Sequence, residues 1–148
     1  MLHTAAIPWP EVDGRPLLGT NGTEAMLALI REGQAGLVDY LKVGPFMGRD
    51  AVAALRPYHP LLLHLDDTLS GHRTPDQEMV ERIRGWVELC ATPWTSEHNG
   101  FSVPDTTLGG ALVTQPVGNL LTREEARANI IRNARALAEC LPVPLLLE

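Results

Sequence analysis

Acidic and imidazole side chains stand at the ends of three short apolar segments of this chain. Segment 60–64 ends in His64, segment 93–98 ends in Glu97 and His98, and segment 143–148 ends in Glu148. Short apolar runs are typical of parallel strands buried on both faces, and α/β folds place ligands at the carboxyl ends of such strands. Histidine and carboxylate together bind Zn, Mn or Fe. These residue types at strand ends therefore favour a metal site at this edge of the predicted sheet.

Three further polar residues are candidates for substrate binding. Asp66 follows His64 closely, His72 lies in the loop beyond it, and Lys42 lies in an earlier strand candidate. In a site without metal, two roles for Lys42 stay open: a salt bridge with Glu97 or Asp66, and exposure to solvent. Other interpretations stay open, because Asp is also common in solvated turns after strands and an exposed His72 needs no role.

Alternatives also stay open for the predicted ligands. A histidine at a strand end is equally compatible with a hydrogen bond to a backbone carbonyl. Glu97 and His98 are adjacent and point to opposite faces of a regular strand, so both reach one metal only if the strand ends between them. Otherwise one of the two faces the site and the other pairs with a neighbour, or the carboxylate orients the imidazole.

Alternating elements position these residues. The sequence predicts strands at 17–20, 36–43, 60–64, 93–97 and 143–147. Helices are predicted to begin at Thr23, at Asp50, at Thr74 with Pro75, and at Thr122, where Glu125 completes a capping-box pattern. Residues 1–15 form an irregular lead-in and 99–121 a long loop. This alternation predicts an α/β fold with about five parallel strands, part of a TIM-barrel-like (β/α) architecture.

Size and composition narrow the class of protein. The chain has 148 residues, 45% of them hydrophobic, which suits a single domain over 1–148. Its net charge of −6 argues against nucleic acid as a partner. No apolar run is long enough for a membrane span, and no secretory signal is found, so a cytoplasmic protein with two reduced cysteines is expected.

Several motifs follow one another in a specific order from residue 36 onward. They are His64-Leu65-Asp66-Asp67 after a strand, Ser96-Glu97-His98 at the end of the next strand, Gln115-Pro116-Val117 in the loop, Leu121-Thr122-Arg123-Glu124-Glu125-Ala126 at a helix start, and Leu145-Leu146-Leu147-Glu148. In this order the chain resembles the multinuclear non-heme iron-dependent oxidative enzymes, a branch of the xylose-isomerase-like barrels. The resemblance covers most of the chain but only about the first half of a family barrel.

The resemblance implies two or three iron ions held in part by His64, Glu97, His98 and Glu148. It implies oxygen-dependent modification of a small, cysteine-containing precursor peptide, presented by a companion protein. It also implies that the chain is the N-terminal portion of an eight-stranded barrel, which self-association or further chain would complete.

Two positions depart from the family pattern. Its second strand usually ends Glu-x-His, and here Lys42 and Gly44 stand at those places. A lysine brings positive charge where a ligand would bring negative charge, which opposes metal binding. Two other functions therefore stay open: a sugar isomerase or epimerase using Mn, Mg or Zn, and a catalytically inactive half-barrel that binds a partner without metal.

Overall fold

The computed structural model describes Trp9 and residues 13–65, 69–72, 74–98 and 121–148. The lead-in over 1–15 and the loop over 99–121 that the sequence predicts lie largely outside these residues. Within them, one sheet contains five strands, all parallel: β1 (Gly19–Asn21), β2 (Tyr40–Val43), β3 (Leu61–His64), β4 (Thr95–Glu97) and β5 (Leu145–Leu147). The helices are α1 (Glu24–Leu29), α2 (Arg49–Leu55), α3 (Gln77–Cys90) and α4 (Arg123–Cys140).

The strands lie in the sheet in their order along the chain, β1-β2-β3-β4-β5. Each crossover therefore moves by one strand in the same direction. Because crossovers between parallel strands are right-handed, this order places the helices on one face, as in a (β/α) barrel and unlike a doubly wound sheet. The predicted α/β class and its five parallel strands are confirmed, and the arrangement is compatible with part of a barrel.

The first strand covers Gly19–Asn21 where 17–20 is predicted, and β2 and α2 also differ from their predicted bounds. The second strand is shorter than 36–43, because a 3-10 turn, Ala35–Leu37, precedes it. The second helix begins at Arg49 and not at an Asp50 cap, since Gly48 takes the cap position with a φ of 77° that favours glycine.

Helix starts in the second half follow their capping residues. Asp76, not Thr74, caps α3, and its carboxylate accepts a hydrogen bond from the N–H of Met79 at 2.9 Å. Thr122 caps α4 as predicted, with its hydroxyl accepting from the N–H of Glu125 and the Glu125 carboxylate accepting from the N–H of Thr122. Aspartate and threonine caps of this kind satisfy the first N–H groups of a helix.

The register separates an apolar and a polar face of the sheet. Lys42 pairs with Leu62, two residues before His64, and His64 pairs with Ser96. Ser96 in turn pairs with Leu146, two residues before Glu148. Since residues two apart share a face, the polar face carries Lys42, His64, Ser96 and Glu148.

The opposite, apolar face forms the hydrophobic core with the helices. Leu41, Val43, Leu61 and Leu63 on the strands are at most 1% exposed, and they cluster with Val52 and Leu55 of α2, with Ile83 and Val87 of α3 and with Leu137 of α4. This packing holds the strands in place. Their register then sets the positions of the side chains on the polar face. None of the helices in the described part of the chain is long and apolar enough to cross a membrane.

Candidate functional site

An ion pair joins distant strands on the polar face. The Nζ of Lys42 on β2 donates to Oε2 of Glu148 at 2.8 Å. Glu148 follows β5, and its backbone N–H continues the parallel ladder by donating to the carbonyl of Glu97. In a flat sheet β2 and β5 lie about 14 Å apart, three spacings of about 4.8 Å. The contact therefore requires the sheet to curve so that the polar face is concave.

Ser96 links this pair to His64. The Oγ of Ser96 lies 2.8 Å from Nδ1 of His64 and also hydrogen-bonds the carboxylate of Glu148. A serine has one hydroxyl proton, and an ionised carboxylate can only accept, so Ser96 donates to Glu148 and Nδ1–H of His64 donates to Ser96. The Nε2 atom of His64 is then left with its lone pair. That nitrogen can accept a proton, a hydrogen bond or a metal ion.

His98 completes the polar cluster, which consists of Lys42, His64, Ser96, His98 and Glu148. The rings of His64 and His98 meet edge to face, with centroids 4.4 Å apart and planes at 75°. Strand β4 ends at Glu97, so His98 lies just beyond the strand. Glu97 is 1% exposed, and its Oε1 accepts from the N–H of His98 at 2.8 Å. Its register partner is Leu147, which places its side chain on the face opposite to His64.

Charge and burial set the protonation states in the polar cluster. Burial lowers the pKa of His64 to about 4, helped by the positive charge of Lys42 and by His98, while Glu148 opposes the change. The hydrogen bond from Lys42 holds the pKa of Glu148 below its ordinary value. At neutral pH the imidazole of His64 is therefore neutral and the carboxyl of Glu148 is ionised.

The predicted site residues are thus only partly brought together. His64, His98, Glu148 and Lys42 converge, and the carboxylate on Lys42 is that of Glu148, where the sequence suggested Glu97 or Asp66. Asp66 lies outside the described residues. Ser96 was not predicted as a site residue, although its place in the strand beside His64 is the signal that could have found it.

His72 belongs to a different set of contacts. Its Nδ1 lies 3.2 Å from Nδ2 of Asn129 on α4, and its carbonyl accepts from Arg132. The amide of Asn129 also donates to the carbonyl of Ser70 at 2.9 Å, and that of Asn133 donates to the carbonyls of the same loop at 2.8 and 3.0 Å. Both asparagines are buried, so they hold the loop after β3 against α4.

The polar cluster does not fit the iron site that the resemblance implies. The ammonium of Lys42 already pairs with the carboxylate of Glu148, and its charge would repel a divalent cation bound there. A side chain at position 44, where the family has histidine, would collide with the backbone carbonyl of His64. Among the residues that the structure describes, no three His, Cys, Asp or Glu side chains are grouped so that they could hold a metal ion.

Comparisons with known proteins do not assign the chain to a family. No protein-family model matches it, and a search of curated proteins finds no significant relative.

Proposed function

We propose that this chain is a binding protein of the barrel type that works without metal at its concave polar face. The observation that supports this proposal best is the 2.8 Å ion pair between Lys42 and Glu148. The ammonium of Lys42 pairs with the carboxylate that a metal-dependent barrel would use to bind its metal ion. The proposal corresponds to the catalytically inactive half-barrel among the functions that the sequence leaves open.

The polar cluster suits recognition of a polar ligand. It offers an ammonium donor, a carboxylate acceptor and the lone pair of His64 Nε2 on one concave surface. A few convergent polar groups in a concave site are typical of binding sites that fix the orientation of a ligand. By its resemblance to the peptide-modifying enzymes, a peptide is the partner that we propose.

An iron-dependent oxidative enzyme is the second candidate. His64 is held by Ser96 through Nδ1, which leaves Nε2 available, and His98 lies beside it. Metal-bound histidines are commonly oriented by such a hydrogen bond to the other ring nitrogen. This function requires Lys42 to leave Glu148.

Iron content separates the two functions. The protein is expressed with added iron and purified without oxygen. Its iron content is measured by mass spectrometry, and its oxygen consumption is measured separately. The binding function predicts far less than one iron per chain and no oxygen uptake beyond that of His64→Ala. One or more irons per chain, lost in His64→Ala, would establish the oxidative enzyme in its place. Turnover of sugars with added Mn, insensitive to oxygen, would contradict both and support an isomerase.

A further inference from the structure

A cavity of about 300 Å³ opens on the polar face beside β1 and β2. Among the residues that the structure describes, Gly19, Thr20, Asn21, Tyr40 and Lys42 line it. The register puts Gly19 beside Tyr40 and Asn21 beside Lys42, so these four lie on the same face. A volume of this size lies at the lower end of the range for small-molecule sites.

The missing side chain of Gly19 shapes this cavity. A Cβ atom at position 19 would collide with the ring of Tyr40, which therefore lies across the glycine. Trp9 packs against the same ring at a centroid distance of 5.5 Å and against Trp94 at 4.9 Å. The ring of Tyr40 is thus held between Gly19 and Trp9, and it contributes apolar surface to the lining of the cavity.

Lys42 supplies the charge of the cavity. It is the charged member among the five described lining residues, and its side chain is 23% exposed. Its partner Glu148 is more open, with 41% of its side chain exposed. Exposed ion pairs are weak, so a second carboxylate can replace Glu148 at little cost.

We propose that this cavity binds a carboxylate that carries a flat apolar group. The ligand carboxylate takes the place of Glu148 on Nζ of Lys42, and the flat group lies along the part of the Tyr40 ring that lines the cavity. The amide of Asn21 lies in the same lining and hydrogen-bonds the ligand. This inference rests on the proposed binding function and names its ligand class. Such a carboxylate occurs both in free aromatic acids and at the end of a peptide.

Calorimetry on the full chain in EDTA tests this proposal with three probes. Benzoate represents a free aromatic acid, N-acetylphenylalanine represents a peptide end, and N-acetylphenylalaninamide is the uncharged control. We expect at least one of the two acids to bind and the amide to bind at least about tenfold more weakly. Binding of N-acetylphenylalanine assigns the site to peptide ends, and binding of benzoate alone assigns it to free acids. Binding of neither acid, or equal binding of the amide, would overturn the proposal.

Variants of the ion pair give the sharper test. Lys42→Met should weaken acid binding by about tenfold or more, whereas Lys42→Arg keeps the charge and should retain most of it. Glu148→Gln should strengthen acid binding about two- to fivefold, because it removes the competitor for Lys42. Glu139→Gln, an exposed change on α4 that alters net charge equally, should leave binding unchanged. Weaker binding in Glu148→Gln would contradict competition.

Circular dichroism checks that each variant is folded. The result of the acid-binding experiment does not depend on the measurement of iron content. Stoichiometric iron in the anaerobic preparation would refute the proposed function even if the acids bind to the EDTA-treated chain. Failure of the acids to bind, with no iron present, would refute only the ligand class.

Discussion

Lys42 lies on β2 and Glu148 directly follows β5, with two strands between them in the sheet, yet their charged groups meet at 2.8 Å. The contact ties β2 to the end of β5 across the concave face. It also brings Glu148 to 4.0 Å from Nδ1 of His64, with Ser96 between them. The ion pair therefore spans the curved polar face and determines the charge beside His64.

Lys42→Met should raise the pKa values of His64 and Glu148 together. The hydrogen bond from Lys42 is the largest cause that lowers the pKa of Glu148, and its charge also lowers that of His64. NMR titration of both side chains measures the change. The pKa of His64 should still lie below its ordinary value, because burial is the larger cause. Unchanged pKa values in Lys42→Met would show that the ion pair does not form in solution.

Stability should fall between neutral pH and pH 4 because of His64. Its pKa is about 4 in the folded chain and near 6.5 when unfolded, so the unfolded chain binds the extra proton over this range. The contribution is present above pH 6.5 and is lost progressively as the pH falls toward 4. A shift of this size corresponds to about 3 kcal/mol.

Urea unfolding at a series of pH values checks this dependence. His64→Gln has no imidazole to protonate and should show a flatter profile over the same interval. A wild-type profile as flat as that of His64→Gln would mean that His64 is not buried as described.

Gly44→Ala should destabilise the fold strongly, although Gly44 has an extended backbone. The added Cβ would lie 2.3 Å from the backbone carbonyl oxygen of His64 and against the ring of Phe46. Backbone cannot move aside cheaply, so we expect a loss on the order of 3 kcal/mol, typical of overpacking. Gly36→Ala is the matched control, since a Cβ there meets nothing within 4 Å. Equal midpoints of thermal unfolding for the two variants would contradict the close approach of β2 and β3.

Thr122→Ala should cost about 1 kcal/mol, because it removes the hydroxyl that accepts from the N–H of Glu125. Thr122→Ser keeps that hydroxyl and should remain close to the wild type. Chemical denaturation of the three proteins measures the difference. A loss in Thr122→Ser as large as that in Thr122→Ala would assign the effect to packing of the methyl group.

The order of strands and helices could be predicted from the sequence, because short apolar runs, caps and prolines are local signals. The convergence of His64 and Glu148 was also within reach, since carboxyl ends of parallel strands meet at one edge of the sheet. The ion pair of Lys42 with Glu148 was not, because it depends on curvature across strands 106 residues apart in the chain.

The burial of polar residues on α4 was also beyond prediction from the sequence. Asn129 and Asn133 share a buried stripe of α4 with Ala126 and Leu137, and a pattern of apolar residues does not predict polar side chains there. The structure buries both asparagines and leaves Ile131 exposed. Their carbonyl partners lie in the loop after β3, some 60 residues away in the chain, and no local pattern reports such contacts.

Titration of a divalent metal into the wild type and into Lys42→Glu tests the central claim most directly. The substitution replaces the ammonium by a carboxylate beside His64, His98 and Glu148, and Co²⁺ reports binding by its visible absorption. Because the ammonium of Lys42 holds the place of the cation, we predict that the folded wild type binds no Co²⁺ at this site and that Lys42→Glu binds one equivalent. Binding by the wild type as tight as that of Lys42→Glu, and lost in His64→Ala, would contradict the claim.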